Sequence, residues 1–567
     1  MANSNESNLQ TATPSPNPIR TVTLLTLPTE ILIEISQCLC LHCRAPRIGE
    51  IPHDQAAIGI HEQTALASLS ASSKRLYTIA QPILFHFFHS LAGQIATLRR
   101  LTHFVHTLCH RPDLAASVTS LVLWTPYYKE LDANEERPAD APHPSEDRDK
   151  DKDKDKAQAE TPHDPVACLR AAAVERLGPW WAQRLGCGPG QVARRRLSLG
   201  ELQEVALALA SGAVSYLLLH RRFRRERGRD WRGWTHPLLQ GLRHVVLVGW
   251  RYRWPRPDNY TYHIKNARAL LRAAGNLESL VAVDCGVDGF GPSMVGGQRN
   301  ILKALPWDVE LPRLRRLSIN SEYVGVEEVE AIIRHSTVFE DLELFHLQYP
   351  LGAGWRWDVL DVEKHLGTAK QTLKRLCYSV FPIKATLKET DEEYTLNDSD
   401  DAEEYFDPTW HGLGGFEVGL SLKGFPVLET LELEQLLLYG PVFEGPDNVE
   451  NDCSCELVAT DEFLKRLPSS LKRFRLGCIF YWPIVFRDML AMAEERARFP
   501  KLRSVTLEVL RVPPREEFDY LVEAFRTAGI ALSICSVVRD PFSRGLLPTR
   551  PGFPVRLPKQ VTYDSVR

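Results

Sequence analysis

At 567 residues the chain holds enough material for several domains' worth of core. Its 44% hydrophobic and 25% charged residues are ordinary for a globular protein, and a formal net charge of −4 excludes bulk attraction to nucleic acid or to a membrane surface. Twelve cysteines over this length are too sparse for a disulfide framework.

Residues 1–20 are polar, rich in Asn, Ser and Pro, and lack the apolar residues that would bury them. They read as a disordered tail rather than a secretory leader. The expectation is an intracellular protein, cytoplasmic or nuclear, with reduced thiols. A helix signal starts abruptly in Leu24 to Leu39, LLTLPTEILIEISQCL. Pro28 suits a first helical turn, where its missing N–H is not needed, and Glu30 complements the same end of the helix dipole. Ile31, Ile35 and Leu39 follow at spacing four and share one face, which Leu32 and Ile33 widen. So short a helix is marginal alone and must dock on something.

Residues 40–63 break the pattern with two prolines and two glycines and read as a loop. Cys38, Cys40, His42 and Cys43 crowd at its start, with His53 and His61 further along. Thiolates and imidazoles ligate zinc, but structural sites usually pair two separated knuckles, and only Cys40-x-x-Cys43 has that form. A helix-end cysteine reads more simply as a small buried hydrophobe. No metal or cofactor is therefore expected. Helical spacing resumes at Leu66, Leu69, Leu76, Ile79 and Ala80, with a joint at Ser72, Ser73 and Lys74 and a stop or kink at Pro82.

Leu27-Pro28-Thr29-Glu30-Ile31-Leu32, then Ile35 and Leu39, then Leu66-x-x-Leu69-Ser70-x-x-Ser73-Lys74-Arg75-Leu76-Tyr77, resembles an F-box. Ile79-Ala80-Gln81-Pro82-Ile83-Leu84-Phe85 resembles the form common in fungal F-box proteins. The loop after the first helix is longer than in the usual F-box. The resemblance implies a small all-helical module over 21–90 that binds the Skp-type linker subunit of a cullin–RING ubiquitin ligase. It places Leu27, Pro28, Ile31, Ile35, Leu66, Leu69 and Leu76 at that interface or between the helices.

Beyond the module, helical spacing over Ile95 to Leu108 precedes a strand-like run, Val118 to Trp124. Similar runs, most of the form L-x-x-Φ-x-Φ with Φ apolar, then recur at Leu242–Val248, Leu277–Val283, Leu314–Ile319, Leu342–Leu347, Leu373–Leu376, Leu428–Leu433, Leu471–Leu476 and Leu502–Leu507. Ala531–Val538 reads as a terminal strand. Leu311-Pro312, Phe425-Pro426, Phe499-Pro500 and Gly275-Asn276 mark turns before several of them. Where the register is uninterrupted, units of about 27–37 residues fit one strand plus one helix, and such units stack into a solenoid with a parallel strand row. They resemble the irregular leucine-rich repeats that follow the F-box in many fungal proteins. The expected fold class is α+β, a helical F-box followed by an α/β repeat solenoid with disordered insertions. The units run over 91–129 and 166–540.

The insertions are 130–165, which holds the alternating run Asp147–Lys156, the glycine-rich 286–298, and the acidic 388–407. The segment 541–567 reads as an irregular tail. Val205–Leu219 is shorter than the roughly 20 residues of a spanning helix and contains Gly212, so it reads as a buried core helix and no membrane contact is expected. The arginines of 221–232 offer phosphate contacts or a nuclear signal, but a solvated helix end accounts for them more simply. Cys453 and Cys455 sit apart in another loop. No phosphate loop, zinc-protease helix, nucleophile elbow or strand-linked dinucleotide motif is present. The expected role is a non-catalytic adaptor that carries a target protein of unread identity to the ligase, with a non-ligase scaffold, and after it a nucleic-acid-associated protein using the arginine-rich segment 221–232, as the alternatives.

Overall fold

The structure is a computed structural model that describes residues 23–44, 58–90, 94–124, 165–185, 197, 199–220, 239–249, 262–283, 285–286, 308–321, 326–348, 365–382, 421–439, 460–479, 482–509 and 513–536. The tail 1–20, the insertion 130–164, the arginine run, residues 287–298, the acidic loop, Cys453 and Cys455, and 541–567 lie outside these residues.

The elements of the first described residues, 23–44 and 58–85, are helical. A 3-10 turn at Leu24–Thr26 leads into α1 (Thr29–Cys38), α2 (Leu41–Arg44), α3 (Ile58–Ser72) and α4 (Lys74–Phe85). A strand β1 (Phe87–His89) follows directly, then α5 (Gln94–His110), α6 (Pro112–Ala115) and β2 (Ser120–Trp124). The later strands are β3 (Tyr216–His220), β4 (His244–Val248), β5 (Tyr262–His263), β6 (Ser279–Val283), β7 (Cys285–Gly286), β8 (Arg316–Ser321), β9 (Asp341–Gln348), β10 (Arg375–Pro382), β11 (Thr430–Glu434), β12 (Arg473–Ile479), β13 (Ser504–Val509) and β14 (Ala531–Ser536). Twelve of them form one parallel sheet in chain order, while β5 and β7 pair separately. Among the described residues, helices such as Leu199–Leu209 before β3, Val326–Ile333 between β8 and β9, and Trp482–Glu494 between β12 and β13 lie in the crossovers that parallel pairing requires.

The L-x-x-Φ-x-Φ pattern acquires a physical meaning here. The first residue and the two Φ residues are buried on the helix side. Leu242, Val245 and Leu247 are one set, and Leu314, Leu317 and Ile319 another. At β9 the register places Phe339 in the leading position, followed by Leu342 and Leu344. The preceding turn is a hydrogen bond from the leading residue's N–H to the carbonyl three residues back, as in Leu277 to Ala274, Leu314 to Leu311 and Leu502 to Phe499. From the unit led by Leu242 to the one led by Leu471, the residue after the leading one alternates in charge: Arg243, Glu278, Arg315, Glu340, Lys374, Glu429, Lys472; Arg503 ends the alternation. Lys374 Nζ lies 2.9 Å from Glu340 Oε1, Lys472 Nζ 2.7 Å from Glu429 Oε1, and Arg243 pairs with Glu278. Opposite charges directly across neighbouring strands favour this register over a slipped one.

Several expectations are corrected. Val205–Leu219 is not one helix: a helix over Leu199–Leu209 stops before Ser211-Gly212, and Tyr216–His220 is β3. Both pieces are largely buried on every side, so the apolar run carries no period to separate helix from strand. The 40–63 loop contains α2 and the first turns of α3. Pro28 caps α1 from outside, at φ −52 and ψ 150, rather than lying in its first turn. Pro82 does not end α4, which runs on to Phe85. Within the span 21–90, Phe87–His89 is not helical but is strand β1, paired with β2 in the sheet.

Candidate functional site

The turn before α1 is held from outside the helix. Thr26 N–H donates to Thr23 O at 2.9 Å, and Leu27 and Pro28 are extended, as a residue before proline prefers. The Arg75 guanidinium, in the first turn of α4, donates to Leu25 O at 2.6 Å, Leu27 O at 2.9 Å and Thr29 Oγ1 at 3.3 Å. One side chain thus fixes the approach to α1 on the start of α4. Ser73 caps α4 by accepting from Leu76 N–H at 3.2 Å, which sets the sharp joint after α3.

These contacts sort the apolar positions. Leu32, Leu66 and Leu76 are 1%, 1% and 2% exposed and hold the helices to each other. Leu27, Ile35 and Leu69 are half-buried, and Pro28 is exposed. Ile31 is 46% exposed. Among the described residues, Leu24, Leu25, Ile31, Ile33 and Tyr77 are five of the eight large apolar side chains that face solvent. Their concentration in one small module makes it the candidate binding surface, whereas scattered exposed apolar residues would mark nothing. A shallow hollow lined by Ser70, Ala71, Ser73, Lys74, Tyr77 and Thr78 adjoins the α3–α4 joint.

The inner side of the module continues into the sheet. Cys40, Leu41, Leu66, Ala80 and Ile83 form one buried cluster with Phe87, Val122, Tyr216, Leu218, Val246, Val248, Val281 and Val283. Gln63 Nε2 donates to Phe87 O at 2.7 Å, and Arg100 donates to Gln63 Oε1. His86 O accepts from Thr119 N–H at 3.1 Å and Ser120 N–H at 2.9 Å. The module and the first strands are therefore one packed body.

At this junction Cys40, His42, Cys43 and His86 converge, with one ligating atom from each inside 4.8 Å of the others. Cys43 Sγ lies 3.3 Å from His86 Nδ1 and 3.8 Å from His42 Nδ1. Burial, with Cys40 alongside, pushes the Cys43 thiol up to about 12. Burial lowers both imidazoles, and His86 lowers His42 further, so the rings are neutral at physiological pH. Cys38 is exposed and outside the group, and His53 lies outside the described residues. His86 is the member that sequence spacing missed. It sits 43 positions from Cys43, and only the turn of α4 into β1 brings it there.

The sheet face beyond β6 is different. Arg375 Nη2 lies 2.9 Å from Glu432 Oε1 and its Nη1 3.2 Å from Asp341 Oδ1, and it also pairs with Glu343. Arg316 Nη2 reaches Glu343 Oε2 at 2.9 Å, and Arg475 pairs with Glu508 and Glu432. Burial opposes the charge on Arg375, but Glu343, Asp341 and Glu432 together outweigh it and hold the guanidinium protonated above its ordinary range. No helix among the described residues is long and apolar enough to cross a membrane. No protein-family model and no curated protein matches the chain.

Proposed function

We propose that this chain is a substrate-recognition adaptor of an SCF-type ubiquitin ligase, an F-box joined to irregular leucine-rich repeats. The observation that carries the reading is the exposed apolar surface around Leu24, Leu25, Ile31 and Tyr77, on the residues that resemble an F-box. Leu27, Pro28 and Ile31 meet the Skp-type linker on this surface. Ile35 and Leu69 back them, and Leu66 and Leu76 maintain the shape from inside.

The adaptor performs no chemistry. It raises the transfer rate by holding a target near the ubiquitin-loaded enzyme, which turns an encounter between separate molecules into one within an assembly. Such a device needs a stiff connection, because orientation as well as nearness sets the rate. The shared cluster of module and strands supports this role. The target docks on the strand face from β8 onward, where side chains are polar and charged.

The experiment is affinity capture of the full chain from cells of its source, with blotting for linker and cullin. The reading predicts that both are recovered. Linker without cullin would replace the ligase reading with a non-ligase scaffold, and absence of both would remove the F-box assignment.

A further inference from the structure

We propose that Cys40, His42, Cys43 and His86 bind one structural zinc ion, which pins the α1–α2 corner to the junction of α4 and β1. The inference is independent of the ligase reading, since it rests on the junction alone.

Two thiols and two imidazoles are a donor set that zinc favours, and no carboxylate is among them. A tetrahedron with metal–ligand bonds of about 2.0–2.3 Å has edges of about 3.3–3.8 Å. The sulfur–nitrogen separations of 3.3 and 3.8 Å at Cys43 match those edges. Cys40 is buried and the other three are half-buried, so the four donors close the coordination shell with no position left for a substrate. Such a site serves structure rather than catalysis.

The surroundings explain why a metal is useful here. Cys40 and Leu41 lie in the apolar cluster that joins the module to the strands, with Leu39 and Cys43 packed at its margin. Among the described residues, these four polar donors at that margin contact one another: Cys43 lies beside both histidines, and the two rings meet edge to face at 5.6 Å. A divalent ion satisfies all four at once. On binding, the two thiols release their protons to solvent and the neutral rings coordinate unchanged, giving a neutral zinc centre within the junction. His86 then bonds the metal through its ring while its carbonyl receives Thr119 and Ser120 of the sheet. The ion would thus fix the angle between the helical module and the strand row.

The test uses the full chain, purified under reducing conditions with zinc present and desalted. Elemental analysis is expected to give one zinc per chain, and cobalt substitution the intense visible bands of tetrahedral thiolate coordination. Cys38→Ser is expected to keep the metal. Cys43→Ser and His86→Gln are expected to fall below a tenth of the wild-type content, and His86→Cys to restore it. A strong chelator should lower the Tm of the wild type and leave that of His86→Gln unmoved. If the two loss variants do not fold, the wild-type stoichiometry, the cobalt spectrum and Cys38→Ser still decide. No zinc in the wild type, a different metal, equal zinc in the His86→Gln chain, or a Cys40–Cys43 disulfide in the reduced preparation would each overturn the site.

Discussion

One row of side chains crosses the whole sheet in register and changes character halfway. On β2, β3, β4 and β6 it reads Val122, Leu218, Val246, Val281. On β8 to β13 it reads Ser318, Glu343, Cys377, Glu432, Arg475, Thr506. The backbone and the hydrogen-bond ladder are the same in both halves, and so is the core on the helix side. What differs is the covering. The first half is buried in a cluster shared with the helical module, whereas the second half covers itself with ion pairs between neighbouring strands. A repeated scaffold thus carries two kinds of surface: one half of the face is buried against the helical module, and the other stays polar.

The largest effect should come from placing the same charge in each half. Val246→Asp buries a carboxylate among Phe87, Leu218 and Val281 with no cation in the cluster, and costs several kcal/mol, about 3 or more, enough to lose the folded protein. Thr506→Asp, in the same row but beside Arg475, should change stability by less than about 1 kcal/mol. Thermal melts followed by circular dichroism check the pair, and equal losses would erase the distinction between the halves.

Next in size is Glu343→Ala. Its carboxylate is 3% exposed and bridges Arg316 and Arg375, so its removal leaves two cations short of a partner at a cost of about 3 kcal/mol. Urea denaturation reads this as a lower midpoint at unchanged slope. A loss within error would mean that the ion pairs are solvated and the polar half is not self-covering.

The smallest effect concerns the outer side of the module. Arg75→Ala removes the strap on Leu25, Leu27 and Thr29 without touching the buried cluster. On the adaptor reading, linker affinity falls about tenfold, equivalent to about 1.4 kcal/mol, while the Tm moves little. Calorimetry with purified linker measures the first and a melt the second. A large drop in Tm with full affinity would reverse the assignment of inner and outer sides.

Much of this is legible in the sequence because the repeats bury a fixed pattern. The eight leucine-led runs from Leu242 to Leu507 all coincide with strands, since a tight turn and apolar residues at alternate positions specify one face of a pleat. β3 is hidden because Tyr216–His220 is apolar on both faces and continues an apolar helix. β1 is hidden because three residues, Phe-Phe-His, carry no period of their own and follow a helix directly. Within the module, the spacing of Ile31, Ile35 and Leu39, widened by Leu32 and Ile33, shows an apolar helix but not which side faces inward: Leu32 is buried and Ile31 exposed. Arg75 and the packing of α1 on α4 decide that. His86 is illegible for a different reason: its partners are local in space but not in sequence, and only tertiary folding brings a distant ligand to Cys40-x-His42-Cys43.

The central claim is that the outer surface of α1 and the turn before it dock a Skp-type linker. The most direct measurement is the equilibrium affinity of purified linker for the full chain and for the Leu27→Ala, Pro28→Ala variant. The account predicts one-to-one binding by the wild type and a loss of about a hundredfold in the variant, with its spectrum and Tm retained. Undiminished binding by a folded variant would contradict it.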